Sequence, residues 1–142
     1  MLDHPALRDT TTMGAASRPT WPWGFVVCSG LLGAVGVIVG AAGTHRGGGE
    51  LTRISSEFLL IHAAVILAGS AMALVLGRTS GLWVAALGLL TVGAILFSGE
   101  LALAGFLDWR PFPLAAPTGG LCLIAGWMLM AVAALLIGLR RR

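Results

Sequence analysis

The sequence carries little charge and lacks several residue types altogether. Charged side chains make up 11% of its 142 residues, and it contains neither lysine nor tyrosine. A soluble domain carries about 25% charged residues, so this composition excludes an ordinary soluble enzyme. The net charge of +3 is too small for a surface that follows nucleic-acid phosphates, which argues against a nucleic-acid partner. Hydrophobic residues form 57% of the chain, and most of them are expected to face a lipid bilayer.

Cysteine is also scarce. The two cysteines, Cys28 and Cys122, both lie in apolar runs and do not show the short spacing typical of metal ligands. An unpaired cysteine in such a run behaves as a small hydrophobic residue. The cysteines therefore do not identify a redox compartment.

Four long apolar runs are present instead. A helix needs about 20 residues to cross a hydrocarbon core of ~30 Å, and runs of that length are found at 23–43, 58–76, 82–106 and 119–139. Short links between them favour antiparallel neighbours. We therefore predict an all-α membrane protein, an antiparallel up-down bundle of four transmembrane helices at 23–142, preceded by a polar cytoplasmic tail at 1–22.

The arginines predict the orientation of this bundle. Six of the nine arginines lie on the side that holds both termini and the link between spans two and three. Positive residues are retained in the cytoplasm, so both termini are expected there. Tryptophans suit the headgroup region, and four of them mark the predicted span ends: Trp21, Trp23, Trp83 and Trp109.

A row of glycines occupies one face of the first span. The row recurs at intervals of three and four residues: Gly30, Gly33, Gly36, Gly40 and Gly43. Small residues at this spacing let helix backbones approach closely in a membrane. The row is either a dimerisation face or a packing face toward other spans of the same chain, and we favour the second interpretation.

Two ionisable residues fall inside the predicted spans. His62 lies ~6 Å from the predicted start of span two and Glu100 ~9 Å from the predicted end of span three, on the side away from the termini. We therefore predict a buried polar pair of His62 and Glu100 that is able to share a hydrogen bond. A polar rim formed by His45, Glu57 and Asp108 is predicted above this pair.

This polar group allows three interpretations. The pair fixes the helix register, or it takes part in a proton or ion relay, or His45, Glu57, His62 and Glu100 hold a metal or cofactor. Glu57 and His62 point ~140° apart on a helix, which argues against the third, and we predict neither a metal nor a cofactor. The chain also lacks the GxSxG motif of a serine nucleophile, so we predict no enzyme activity.

Several short motifs appear in a set order along the four spans. They are Gly40-Ala41-Ala42-Gly43-Thr44-His45, His62, Leu96-Phe97-Ser98-Gly99, Pro117-Thr118-Gly119-Gly120-Leu121 and Ala125-Gly126-Trp127. In this order the chain resembles the YgdD-like small inner-membrane family, domain of unknown function 423. The resemblance implies a compact four-helix protein of the bacterial inner membrane with no established activity. Members of that family usually have serine where this chain has Glu100.

The sequence therefore favours a non-catalytic accessory or assembly subunit of a larger membrane complex. The alternative is a small transporter, channel or proton-relay component that uses Glu100 and His62. A third hypothesis is a membrane-embedded enzyme or quinone-binding protein with a lateral pocket near His62.

Overall fold

The computed structural model describes residues 20–46, 49–77, 80–110 and 112–139. Most of the predicted tail, residues 1–19, lies outside these ranges. The described residues form four helices: α1 (Trp21–Arg46), α2 (Gly49–Leu76), α3 (Gly81–Leu107) and α4 (Ala115–Leu139). Each helix is long and apolar enough to cross a membrane. The predicted bundle of four spanning helices is confirmed.

Residues with special backbone geometry define the helix ends. Gly77, with φ of 66°, ends α2 and donates its N–H to the Ala73 carbonyl; glycine takes this left-handed conformation without a steric penalty. Asp108 ends α3 in the same conformation. Pro117 lies in the first turn of α4. A backbone N–H at this position would have no partner within the helix, so proline is tolerated there.

Helix α2 begins nine residues earlier than the predicted second span. The charges of Glu50, Arg53 and Glu57 led to the prediction of a link at 44–57, but these residues lie three and four positions apart on an exposed helix face and pair with one another. Such pairs support a helix. On the opposite face, Thr52 and Ser55 are buried. The segment is therefore an amphipathic extension of the span.

Consecutive helices pack against each other as the short links predict. The backbones of α1 and α2, α2 and α3, and α3 and α4 are in contact, and α1 also touches α3. Within the described ranges, the backbone of α4 approaches α3 alone. We call the end of the bundle at Arg46, Gly49, Leu107 and Ala115 the distal end.

The glycine row of α1 faces α2 along most of its length. A Cβ atom on Gly40 would lie 2.7 Å from Ser56 Oγ, and one on Gly43 would lie 2.5 Å from Thr52 Oγ1. Gly36 faces Leu59 and Leu60 in the same way, whereas a Cβ on Gly30 would meet no atom within 4 Å. Packing within the chain thus accounts for the distal part of the row and not for Gly30.

Glycines also bring α3 and α4 together. A Cβ on Gly119 would lie 2.5 Å from the backbone nitrogen of Phe97 and 2.9 Å from the Gly93 carbonyl oxygen. On the next turns of α4, Gly126 packs against Leu90. This backbone contact is the main attachment of α4 to the rest of the bundle.

Trp83 does not belong to an aromatic belt at the membrane surface. Its side chain is buried with Leu87, Ala73 and Ala133, and its indole Nε1 donates a 3.0 Å hydrogen bond to the Gly69 carbonyl. Trp23 and Trp109, in contrast, are more than half exposed. Glycine has no side chain to cover its carbonyl, so Gly69 accepts the indole of a neighbouring helix.

Candidate functional site

His62 lies near the middle of α2 and is buried. Its Nδ1 is 2.8 Å from the Phe58 carbonyl oxygen, and its Nε2 accepts a 3.4 Å hydrogen bond from Trp127 Nε1 on α4. The Phe58 ring stacks on the imidazole at 5.7 Å between ring centroids. Both ring nitrogens are therefore engaged within the protein.

These two partners fix the tautomer of His62. A carbonyl oxygen only accepts and an indole nitrogen only donates, so the proton must lie on Nδ1 and the lone pair on Nε2. We expect nitrogen chemical shifts in solid-state NMR to show this neutral tautomer. Trp127→Phe removes the donor and should cost about 1 kcal/mol of stability, with the His62 shifts altered. Unchanged His62 shifts in that variant would contradict the contact.

Glu100 is the second buried ionisable residue, in the last third of α3. Its side chain is 5% exposed, and its Oε1 has no hydrogen-bond partner within the described ranges. A buried carboxylate normally requires donors. Glu100 is therefore polar, enclosed and incompletely satisfied by its own chain.

The predicted hydrogen bond between His62 and Glu100 is not formed. Ser55 on α2 lies level with Ser98 on α3, because its Oγ donates a 2.7 Å bond to the Ser98 carbonyl. In antiparallel helices, His62 and Glu100 lie on opposite sides of this contact, about 13 Å apart along the axis. The similar depth predicted for them was wrong because span two was taken to begin at 58.

The predicted rim residues lie at the distal end but do not form one site. His45 and Asp108 are exposed, and Glu57 pairs with Arg53. Arg53 also bonds Glu50, so one guanidinium joins two carboxylates along the outer face of α2. Among the described residues, no group of three histidines, cysteines or acids is arranged to hold a metal ion.

The charge group around Arg53 should contribute little to stability. All three side chains are more than half exposed, and ion pairs of this kind are screened by water and salt. We expect Arg53→Gln to leave the resistance to unfolding in detergent almost unchanged. A large loss in that measurement would show that Arg53 has a partner beyond the two glutamates.

Most buried hydroxyl groups bond to backbone carbonyls. Ser56 donates to Gly36 across the α1–α2 contact, while Ser70 and Thr91 donate to the carbonyl four residues earlier on their own helices. These bonds connect helices or complete turns. They leave few hydroxyls free for chemistry.

Glu100 lines a pocket of about 430 Å³ between α3 and the start of α4. Its walls are apolar, with Phe97, Leu101 and Pro117 among them, and the guanidinium-bearing Arg110 also lines it. Glu100 and Arg110 do not form an ion pair. The pocket therefore holds one acidic and one basic side chain that do not contact each other. The sequence analysis missed this arrangement because it paired Glu100 with His62.

A second pocket, of about 290 Å³, lies between α1 and α3. It is lined almost entirely by apolar side chains such as Leu32, Val35 and Ile95. Cys28 also lines it, and both Cys28 and Cys122 are free thiols. The only hydroxyl in its lining is that of Ser98, whose Oγ has no hydrogen-bond partner among the described residues.

Comparison with known proteins identifies the family of this chain. A family model described as "Protein of unknown function (DUF423)" matches residues 39–120, from the end of α1 through the pocket to the start of α4. Searches of the curated proteins and of the solved structures found no match. Since the matched segment covers more than half of the chain, the protein belongs to the DUF423 family of proteins of unknown function.

Proposed function

We propose that the protein is a non-catalytic accessory or assembly subunit of a complex in the bacterial cytoplasmic membrane, with both termini in the cytoplasm. The observation that carries this proposal is the open surface of α4, whose backbone contacts α3 alone. Large apolar side chains are exposed along its length: Leu121, Ile124, Met128, Val132 and Leu135. A helix attached on one side only leaves a long face for another membrane protein.

The interior of the bundle supports a non-catalytic role. The nitrogens of His62 are both bonded, and Ser55, Ser70 and Thr91 donate to backbone carbonyls. Hydrogen bonds of this kind hold helices in register, because each ties a side chain to a fixed backbone atom. The buried polar residues therefore favour a structural part in a larger assembly.

Site-specific photocrosslinking in the native membrane tests this proposal. A photoreactive amino acid at Leu121 or Leu135 on α4 should give the same adduct of discrete mass, and mild detergent should retain that protein in a fixed ratio. The same group at Leu31 on the exposed face of α1 serves as the matched control. Lipid adducts alone at both α4 positions, with a lone monodisperse chain after purification, would contradict a subunit role.

A proton-relay component is the second candidate, and the burial of Glu100 is the observation that favours it. Toward the other end of the bundle, Glu100 is followed by apolar residues such as Ile66, Leu87 and Leu90, all fully buried. We therefore expect proteoliposomes to show no proton flux above that of empty vesicles. A flux that Glu100→Gln abolishes would support the relay and overturn the accessory role.

A further inference from the structure

We propose that the pocket beside Glu100 binds the headgroup of a phospholipid that carries both a primary ammonium and a phosphate. The ammonium would donate to the Glu100 carboxylate and the phosphate would bind Arg110. This inference concerns the isolated protein and does not depend on the accessory role.

The hydrogen bonding of Glu100 is incomplete within the described residues. The residue is 95% enclosed, as its 5% exposure shows, and its Oε1 faces no donor among the described residues. A charge-assisted N–H bond is the strongest partner for a carboxylate. A ligand that completes this site must therefore supply a donor, and an ammonium supplies up to three.

Arg110 lines the same pocket as Glu100. Its guanidinium offers donors in the planar arrangement that suits phosphate oxygens. Arg110 follows the end of α3, whereas Glu100 lies seven residues, or ~10 Å, before that end. The pocket is thus basic toward the distal surface and acidic deeper in, which matches a zwitterion better than a simple cation or anion.

The walls of the pocket are mostly apolar and lie near one end of the spanning helices. Phe97, Leu101 and Ala104 on α3 and Pro117 on α4 are apolar and suit a glycerol backbone and the first acyl carbons better than a free water-soluble zwitterion. Helix α3 has 27 residues and is ~10 Å longer than a hydrocarbon core of ~30 Å. If α3 is centred in the bilayer, Glu100 lies just inside the boundary between headgroups and acyl chains.

Native mass spectrometry of the full chain in detergent, titrated with single phospholipids, tests the inference. We expect phosphatidylethanolamine to bind about tenfold more tightly than phosphatidylcholine, whose quaternary ammonium has no N–H, and than phosphatidylglycerol, which has no cation. Glu100→Gln should remove this preference. Arg110→Gln should weaken all three lipids, because each carries a phosphate. Glu57→Gln, an exposed acid at the same end, is the matched control and should change nothing.

Two further measurements keep the test decisive. Ala104→Trp fills the pocket but leaves Glu100 and Arg110 in place, and it should also abolish the preference for phosphatidylethanolamine. This variant tests the proposal even if Glu100→Gln fails to fold. Equal binding of the three lipids by the wild type, or a preference that persists in Glu100→Gln, would overturn the proposal. Displacement of the lipid by an equal concentration of glycerophosphoethanolamine would overturn the assignment to a membrane lipid.

Discussion

Gly119→Ala should detach α4 from the bundle, with the largest loss of stability that we expect from adding a methyl group to any glycine within the described ranges. The added Cβ would lie 2.5 Å from the Phe97 nitrogen and 2.9 Å from the Gly93 oxygen, both backbone atoms. Backbone atoms of a helix cannot rotate away as a side chain can, so the two helices must separate. We expect a loss of about 3 kcal/mol, the upper part of the usual range for overpacking.

Gly120→Ala is the matched control for this prediction. The neighbouring Cβ would meet only the Phe97 ring, at 4.0 Å, an ordinary contact. Alanine also favours a helix over glycine by about 0.5–1 kcal/mol, so this variant should be as stable as the wild type or more so. Unfolding by a denaturing detergent, followed by tryptophan fluorescence, measures both. Equal stabilities of the two variants would show that α4 is not held at Gly119.

Gly43→Ala should separate α1 from α2 at the distal end. Its Cβ would lie 2.5 Å from Thr52 Oγ1 and 3.0 Å from Thr52 Cβ. Thr52 is buried and its hydroxyl donates a 3.0 Å bond to the Gly49 carbonyl, so rotating the side chain away breaks that bond. We expect a loss of about 2 kcal/mol, within the range for overpacking a close contact.

Gly30→Ala provides the contrast on the same helix. With no atom within 4 Å of its Cβ, this variant should gain the helix preference of alanine, about 0.5–1 kcal/mol. The same detergent titration compares the two variants, and size-exclusion chromatography records their oligomeric state. If Gly30→Ala instead lowered the stability and also converted a dimer to a monomer, the part of the glycine row around Gly30 would be an interface between two copies.

The fold could be predicted because the bilayer constrains it strongly. A backbone in hydrocarbon must satisfy its hydrogen bonds internally, so four long apolar runs with short links predict four antiparallel helices. The same reasoning failed at 44–57, where it treated Glu50, Arg53 and Glu57 as signs of a link. Oppositely charged residues three and four positions apart can pair on one face of a helix. Such residues can therefore belong to a helix that continues beyond the membrane.

The polar site could be predicted only in part. That His62 and Glu100 are buried follows from the cost of a polar group in lipid. The partner of each residue depends on the register between the helices. This register is fixed by the contact of Ser55 with Ser98 and by that of Gly119 with Phe97. A shift of α2 by about two turns along α3 would determine whether His62 lies level with Glu100 or bonds Trp127. The motif residues Gly126-Trp127 were noted in the sequence, but the spacing along α4 does not show that Trp127 reaches α2.

Cysteine accessibility in whole cells tests most directly whether the chain crosses the bilayer four times. In a chain with Cys28→Ala and Cys122→Ala, single cysteines are placed by Thr44→Cys and Leu114→Cys at the distal end and by Gly81→Cys at the start of α3; all three positions are exposed. We expect a membrane-impermeant thiol reagent to label positions 44 and 114 in cells with a permeable outer layer, and position 81 only after the inner membrane is opened. Labelling of all three positions from the same side would contradict four crossings, and the reverse pattern would contradict cytoplasmic termini alone.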